Sequence, residues 1–87
     1  MSSREEARAY LGAAAQKMEE AAGLLYAVSQ QYADEARSAA LAAMDGTNDS
    51  SLMECLGYID RLTDMTQEAA AAANAAAAKL SEEAARQ

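Results

Sequence analysis

The sequence predicts an all-α protein in which two long, alanine-rich helices fold back as an antiparallel hairpin, in one domain spanning residues 1–87. Three observations support this. The one turn-rich stretch, DGTNDS at residues 45–50, lies near the middle of the chain. Proline is absent, and alanine, the strongest helix former, dominates both sides. Each half also begins with a serine three residues before a glutamate, Ser3–Glu6 and Ser51–Glu54, which is the capping-box spacing at a helix start.

The first helix is expected from about residue 4 to 45, with Gly46 taking the left-handed conformation that ends it. Its larger apolar residues recur every seven positions, and smaller ones fill the places between them. A heptad spacing of this kind is typical of a helix that packs along a partner helix. The two rows are Leu11, Met18, Leu25 and Tyr32, and Ala14, Ala21 and Val28.

The second helix is expected from about residue 52 to 86, after a turn at about 46–51. It carries two heptad rows of its own. The rows are Leu52, Ile59, Thr66, Ala73 and Leu80, and Leu56, Thr63, Ala70, Ala77 and Ala84.

The sizes of facing residues favour the hairpin over one continuous rod, because large would meet small at both ends and small residues permit close approach. Near the turn, Leu52, Leu56, Ile59 and Leu62 would oppose the alanines at 36, 39, 40 and 43. Toward the termini, the alanine-rich run 69–78 would oppose Met18, Leu24, Leu25 and Tyr26.

The apolar arc is wider than one inward-facing row, which indicates a second neighbour. We expect two hairpins to dimerise into a four-helix bundle. The predicted interface residues are Tyr10, Leu24, Tyr26, Tyr58, Leu62 and Met65. Two glycines inside the first helix suggest a shallow strip that receives another helix, with neutral variation as the alternative. That strip is Gly12, Ala15, Glu19 and Gly23.

The residue inventory argues against an enzyme. Histidine is absent and there is one cysteine, so no catalytic residue, metal site or cofactor is expected. The loop fails the calcium-loop pattern, since its sixth and twelfth positions are Ser50 and Leu56. We expect Cys55 to be a small buried side chain, and Glu35 and Asp64 to be the most inward-leaning carboxylates.

A net charge of −7 disfavours nucleic acid and anionic membranes as partners. No apolar run reaches the roughly 20 residues of a membrane span, and the start of the chain does not read as a signal peptide. We therefore expect a cytoplasmic protein, with signal-independent export left open. No small-molecule substrate is indicated.

The two-helix plan resembles plasmid RNA-binding hairpin dimers of the Rop type, WXG-type proteins of type VII secretion and needle subunits of type III secretion. The turn contains neither Trp-x-Gly nor proline, and no tyrosine is followed by an acidic residue four positions later. The resemblance is thus one of architecture. The expected function is a self-associating interaction module that acts as an adaptor, accessory subunit or chaperone. The alternatives are a secreted WXG-like hairpin, and an RNA-binding dimer using Arg4, Arg8, Lys17 and Arg86.

Overall fold

The computed structural model describes residues 3–46 and 49–87, and these residues are helical apart from the turn and the last residue. They form α1 (Ser3–Ala27), a π-helix (Val28–Tyr32), α2 (Ala33–Ala43) and α3 (Ser50–Arg86). No strand occurs in these two ranges, so the all-α prediction is confirmed.

The molecule is a rod of 70 × 14 × 13 Å. One continuous helix of this chain would be about 130 Å long at 1.5 Å per residue. The first three elements all contact α3, and Arg37 of α2 bridges to Asp60 of α3, with 2.9 Å between Nε and Oδ1. The length and these contacts fit a helical hairpin.

The turn begins where α2 ends at Ala43, and Gly46 has a φ of +77°, as predicted. The start of α3 differs from the prediction. Its N-cap is Asp49, whose side chain accepts hydrogen bonds from the backbone N–H groups of Ser51 (2.8 Å) and Leu52 (3.4 Å). Aspartate is as good an N-cap as serine, and here it precedes Ser51 by two residues. Ser3, the other predicted cap, is already helical at the edge of the described range.

Both predicted rows of α3 face inward, since every member is buried or half-buried. In α1 the rows are also inward-facing as far as Val28. Beyond that point the prediction fails by one residue. Tyr32 is 64% exposed, whereas Ala33 is 3% exposed and takes its place.

The π-helix causes this shift. The backbone N–H of Ala33 donates to the carbonyl of Val28, five residues back, so the turn holds one residue more than an α-helical turn. The inward positions after it are therefore 33, 40 and 44 in place of 32, 36, 39 and 43, and Arg37 is exposed beside this row. Of the alanines predicted to oppose the leucines of the second helix, Ala40 is half-buried and those at 36, 39 and 43 are exposed.

The core of the rod is made of small side chains. Within the described ranges the buried apolar residues are all alanines, and the largest fully buried side chain is Ser29. Ser29 and Thr66 are buried polar residues whose hydroxyls donate to carbonyls of their own helices. The buried alanines are Ala15, Ala22, Ala33, Ala70, Ala73 and Ala77.

The two carboxylates predicted to lean inward, Glu35 and Asp64, are exposed. Removing a charged group from water is costly unless it is paired, and the buried polar positions are filled by hydroxyls instead. Because a hydroxyl can bond to the preceding turn of its own helix, it can be buried without a partner on the other helix.

Candidate interaction surface

The large apolar side chains lie mostly on the surface, in contrast to the alanine core. Among the described residues, nine large apolar side chains are at least 44% exposed. Scattered exposed apolar residues are ordinary, but a contiguous patch usually marks a contact. The nine are Tyr10, Leu24, Tyr26, Tyr32, Leu41, Met53, Tyr58, Leu62 and Met65.

The Arg37–Asp60 ion pair shows which sides of the helices share a face. On α3, Asp60 follows the inward-facing Ile59 and Tyr58 precedes it, so the two lie on opposite sides of the inward row. In the other arm of the hairpin, Arg37 and Tyr32 lie on opposite sides of the inward row that contains Ala33. Since Arg37 and Asp60 meet, Tyr32 and Tyr58 share the other face.

Six of the nine exposed residues lie on that other face, which we call the tyrosine face. Its members are Tyr10, Leu24, Tyr32, Tyr58, Leu62 and Met65. The remaining three, Tyr26, Leu41 and Met53, lie on the side of the Arg37–Asp60 ion pair, which we call the ion-pair face.

Five of the six residues proposed from the sequence as an interface lie on the tyrosine face. Tyr26 lies on the ion-pair face, 58% exposed, and so it belongs to a different surface. Tyr32 was missed because its heptad spacing from Leu25 placed it in the inward row. The row Tyr10, Lys17, Leu24 would continue to residue 31 in an uninterrupted α-helix, and the extra residue of the π-helix puts Tyr32 there instead.

The middle of the tyrosine face carries no ionisable group other than its tyrosines. On the α1–α2 side, helical spacing places Val28 and the alanines at 36, 39 and 43 on it. On α3 it continues through the alanines at 69, 72 and 76. The charged residues of the same stretches lie on the outer rim or the ion-pair face. At one end, the Tyr58 hydroxyl donates to Glu54 Oε1 at 3.4 Å, a bond that keeps the hydroxyl at the edge of the patch.

The glycine strip is only partly a surface. Gly12, Glu19 and Gly23 are exposed, but Ala15 is 4% exposed and packs within the rod. A Cβ built on either glycine meets nothing within 4 Å, so packing inside this chain does not require glycine at these positions.

The remaining chemistry of the described residues is sparse. Cys55 was expected to be buried and is exposed, because the inward row passes through Leu52, Leu56 and Ile59 on another side of α3. The described residues bring together no group of three side chains able to hold a metal ion, and they enclose no pocket. Among the described helices, none has both the length and the apolar character that a bilayer crossing requires.

The basic side chains proposed for RNA do not form one patch in a single chain. Lys17 pairs with Glu20 of its own helix at 3.3 Å. Arg86 pairs with Glu83 at 3.0 Å and Glu82 at 3.8 Å, also within one helix. Arg4 and Arg8 are exposed near the start of α1.

Comparison of the chain with protein-family models, with curated proteins and with solved structures finds no match.

Proposed function

We propose that this chain is an antiparallel helical hairpin that works as a non-enzymatic protein–protein interaction module. It self-associates through the tyrosine face into a four-helix bundle, and serves another protein as an adaptor, accessory subunit or chaperone. The observation that carries this proposal is the inversion of side-chain sizes, with alanines buried in the rod and the tyrosines, Leu24, Leu62 and Met65 exposed.

The energetics support a second layer of helices. A chain of this size buries a modest share of its surface and is marginal without disulfides, metals or oligomerisation. Burying apolar surface contributes about 25 cal/mol per Å2, so a strip of several hundred Å2 contributes several kcal/mol before the entropic cost of association is subtracted. The middle of the tyrosine face supplies such a strip without burying a charge.

Self-association leaves the ion-pair face available to a different protein. Tyr26, Leu41, Gly12 and Gly23 all lie on that side, beside the exposed carboxylate of Glu19. The proposal also places the protein in the cytoplasm, where the free thiol of Cys55 would stay reduced.

The test is a pair of matched methionine variants. Met65 on the tyrosine face and Met53 on the ion-pair face are 55% and 57% exposed. Met65→Glu should shift a dimer toward monomer and lower the midpoint of thermal unfolding, because it places a charge inside the interface. Met53→Glu should leave both properties close to those of the unmodified chain. Light scattering measures the mass, and equal behaviour of the two variants would contradict the proposal.

A further inference from the structure

We infer that the second copy lies antiparallel on the tyrosine face, with the contact centred on Tyr32 and Met65 and with its loop end, where α2 and α3 meet, directed toward the chain termini of the first copy. This inference rests on the proposed self-association and adds the direction in which the two copies stack.

The sizes of the side chains make the tyrosine face self-complementary. Along α1 and α2 the face carries large residues first, Leu24 and Tyr32, and then the alanines at 36, 39 and 43. Along α3 it again carries large residues first, Tyr58 to Met65, and then the alanines at 69, 72 and 76. Reversing a copy about the level of Tyr32 and Met65 places the large half of each helix over the small half of its counterpart.

Stacking in the same direction would also set large residues over small ones, with α1 lying over the partner's α3. Side-chain size therefore selects the face, and another property has to select the direction. That property is the uneven distribution of charge along the rod.

The loop end of the rod carries acidic residues and no basic ones. Between Arg37 and Arg61 the sequence contains no lysine or arginine. The acidic residues of this stretch are Asp45, Asp49, Glu54 and Asp60. Asp60 is paired with Arg37, and the others add negative charge that no basic side chain of the same stretch offsets.

The terminal end is close to balanced. Five of the seven basic residues are there, together with six acidic ones in residues 1–20 and 79–87. The five are Arg4, Arg8, Lys17, Lys79 and Arg86. Stacking in the same direction would bring two loop ends within a Debye length of about 10 Å, where they repel. Antiparallel stacking about Tyr32 and Met65 separates the two loop ends and sets each at the level of the partner's Lys17 and Lys79.

An antiparallel two-fold axis also gives the π-helix a role. The axis passes near residue 32, so the two copies of Tyr32 lie beside each other, as residues on such an axis do in a symmetric dimer. If the same residues formed an uninterrupted α-helix, Tyr32 would occupy the inward row and the centre of the contact would lose its largest side chain.

Spin labels on the single native cysteine test the direction, because each chain carries one label and every measured distance is between chains. Cys55 is exposed and lies ten residues before Met65 along α3. Antiparallel stacking separates the two labels by about 30 Å along the rod, at 1.5 Å per residue. Stacking in the same direction keeps them level and under about 20 Å apart, at interaxial distances of 8–10 Å.

Cys55 lies three residues before Tyr58 and seven before Leu62, on the tyrosine-face side of α3, so a second label site is chosen outside the contact. In the Cys55→Ser background, Ser81→Cys places the label 16 residues beyond Met65 and away from the tyrosine face. The antiparallel dimer predicts about 50 Å here, and the alternative predicts about 30 Å or less. Long distances at both sites support the inference. A dimer with short distances overturns the direction alone. Protein labelled at residue 81 that is a monomer by light scattering overturns the proposed self-association as well.

Discussion

At the scale of single residues, the alanines of α3 control how closely the helices approach. Ala77 is 4% exposed and belongs to a row that contacts the other helices, whereas Ala75 is exposed on the outer side of the same helix. The three carbons that leucine adds would meet packed side chains at Ala77. At Ala75 they would extend into solvent. Because the two alanines are only two residues apart in the same helix, substitutions at them differ mainly in how tightly the site is packed.

Ala77→Leu should therefore lower the free energy of unfolding by about 1–3 kcal/mol, the usual cost of overpacking. Ala75→Leu should change it by less than about 0.5 kcal/mol, as exposed substitutions generally do. Urea unfolding followed by circular dichroism measures both. Equal losses at the two positions would show that the inward rows of α3 have been assigned to the wrong side.

The cap of α3 gives a second prediction at this scale. Asp49→Ala removes the acceptor for two backbone N–H groups and should cost about 1 kcal/mol, within the 0.5–2 kcal/mol range of lost N-caps. Asp49→Asn should retain most of that stability. Ser51→Ala should be nearly neutral, since Ser51 takes part in the cap through its backbone N–H and not through its hydroxyl. A larger loss from Ser51→Ala than from Asp49→Ala would restore the cap expected from the sequence.

At the scale of elements, the π-helix is the feature that the sequence pattern did not disclose. Tyr32 continues the spacing of Leu11, Met18 and Leu25, and its ring is apolar enough to fit an inward row. The extra residue leaves the spacing of the residues before it unchanged. After it, alanines occupy both the positions that were expected to face inward (36, 39 and 43) and positions that do face inward (33 and 40). Because alanine suits both buried and exposed helix positions, the residues after Tyr32 could not reveal the shift.

Deleting one glutamine tests the extra residue directly. Without Gln30 the segment can continue as a plain α-helix, and α2 keeps the facing it has now. The matched control is deletion of Gln16, an exposed glutamine of α1. That deletion rotates the preceding residues by about 100° and turns Leu11 and Ala15 away from α3.

The Gln30 deletion should leave thermal unfolding nearly unchanged. The Gln16 deletion should lower the free energy of unfolding by about 1–2 kcal/mol or more, through the loss of apolar burial at Leu11 and its neighbours. Circular dichroism melts of the two deletion variants measure the difference. If losing Gln30 is the more damaging change, the π-helix is required for stability and does not simply absorb an extra residue.

At the scale of the whole molecule, the sequence predicted most of the fold and part of the surface. The all-helical class, Gly46 and both rows of α3 followed from helical periodicity and turn chemistry. Strong periodicity carried that information because the α3 rows contain no interruption. The two faces of the rod were harder to predict. Assigning Tyr26 and Tyr32 to a face requires knowing where the inward row runs after the π-helix. It also requires knowing which sides of the two arms are brought together by the Arg37–Asp60 ion pair.

The rod as a whole combines an alanine core, a tyrosine face whose middle is uncharged, and an acidic loop end. These properties are consistent with one another if the hairpin is half of a four-helix bundle. They are poorly matched in a monomer, because burial within one chain is limited to small side chains while larger ones remain in water.

The most direct test of this account is the mass of the unmodified chain in solution, measured by sedimentation equilibrium over a range of micromolar concentrations. We expect about twice the 9.1 kDa of one chain, with dissociation toward one chain on dilution. A constant mass of one chain across that range would contradict self-association through the tyrosine face.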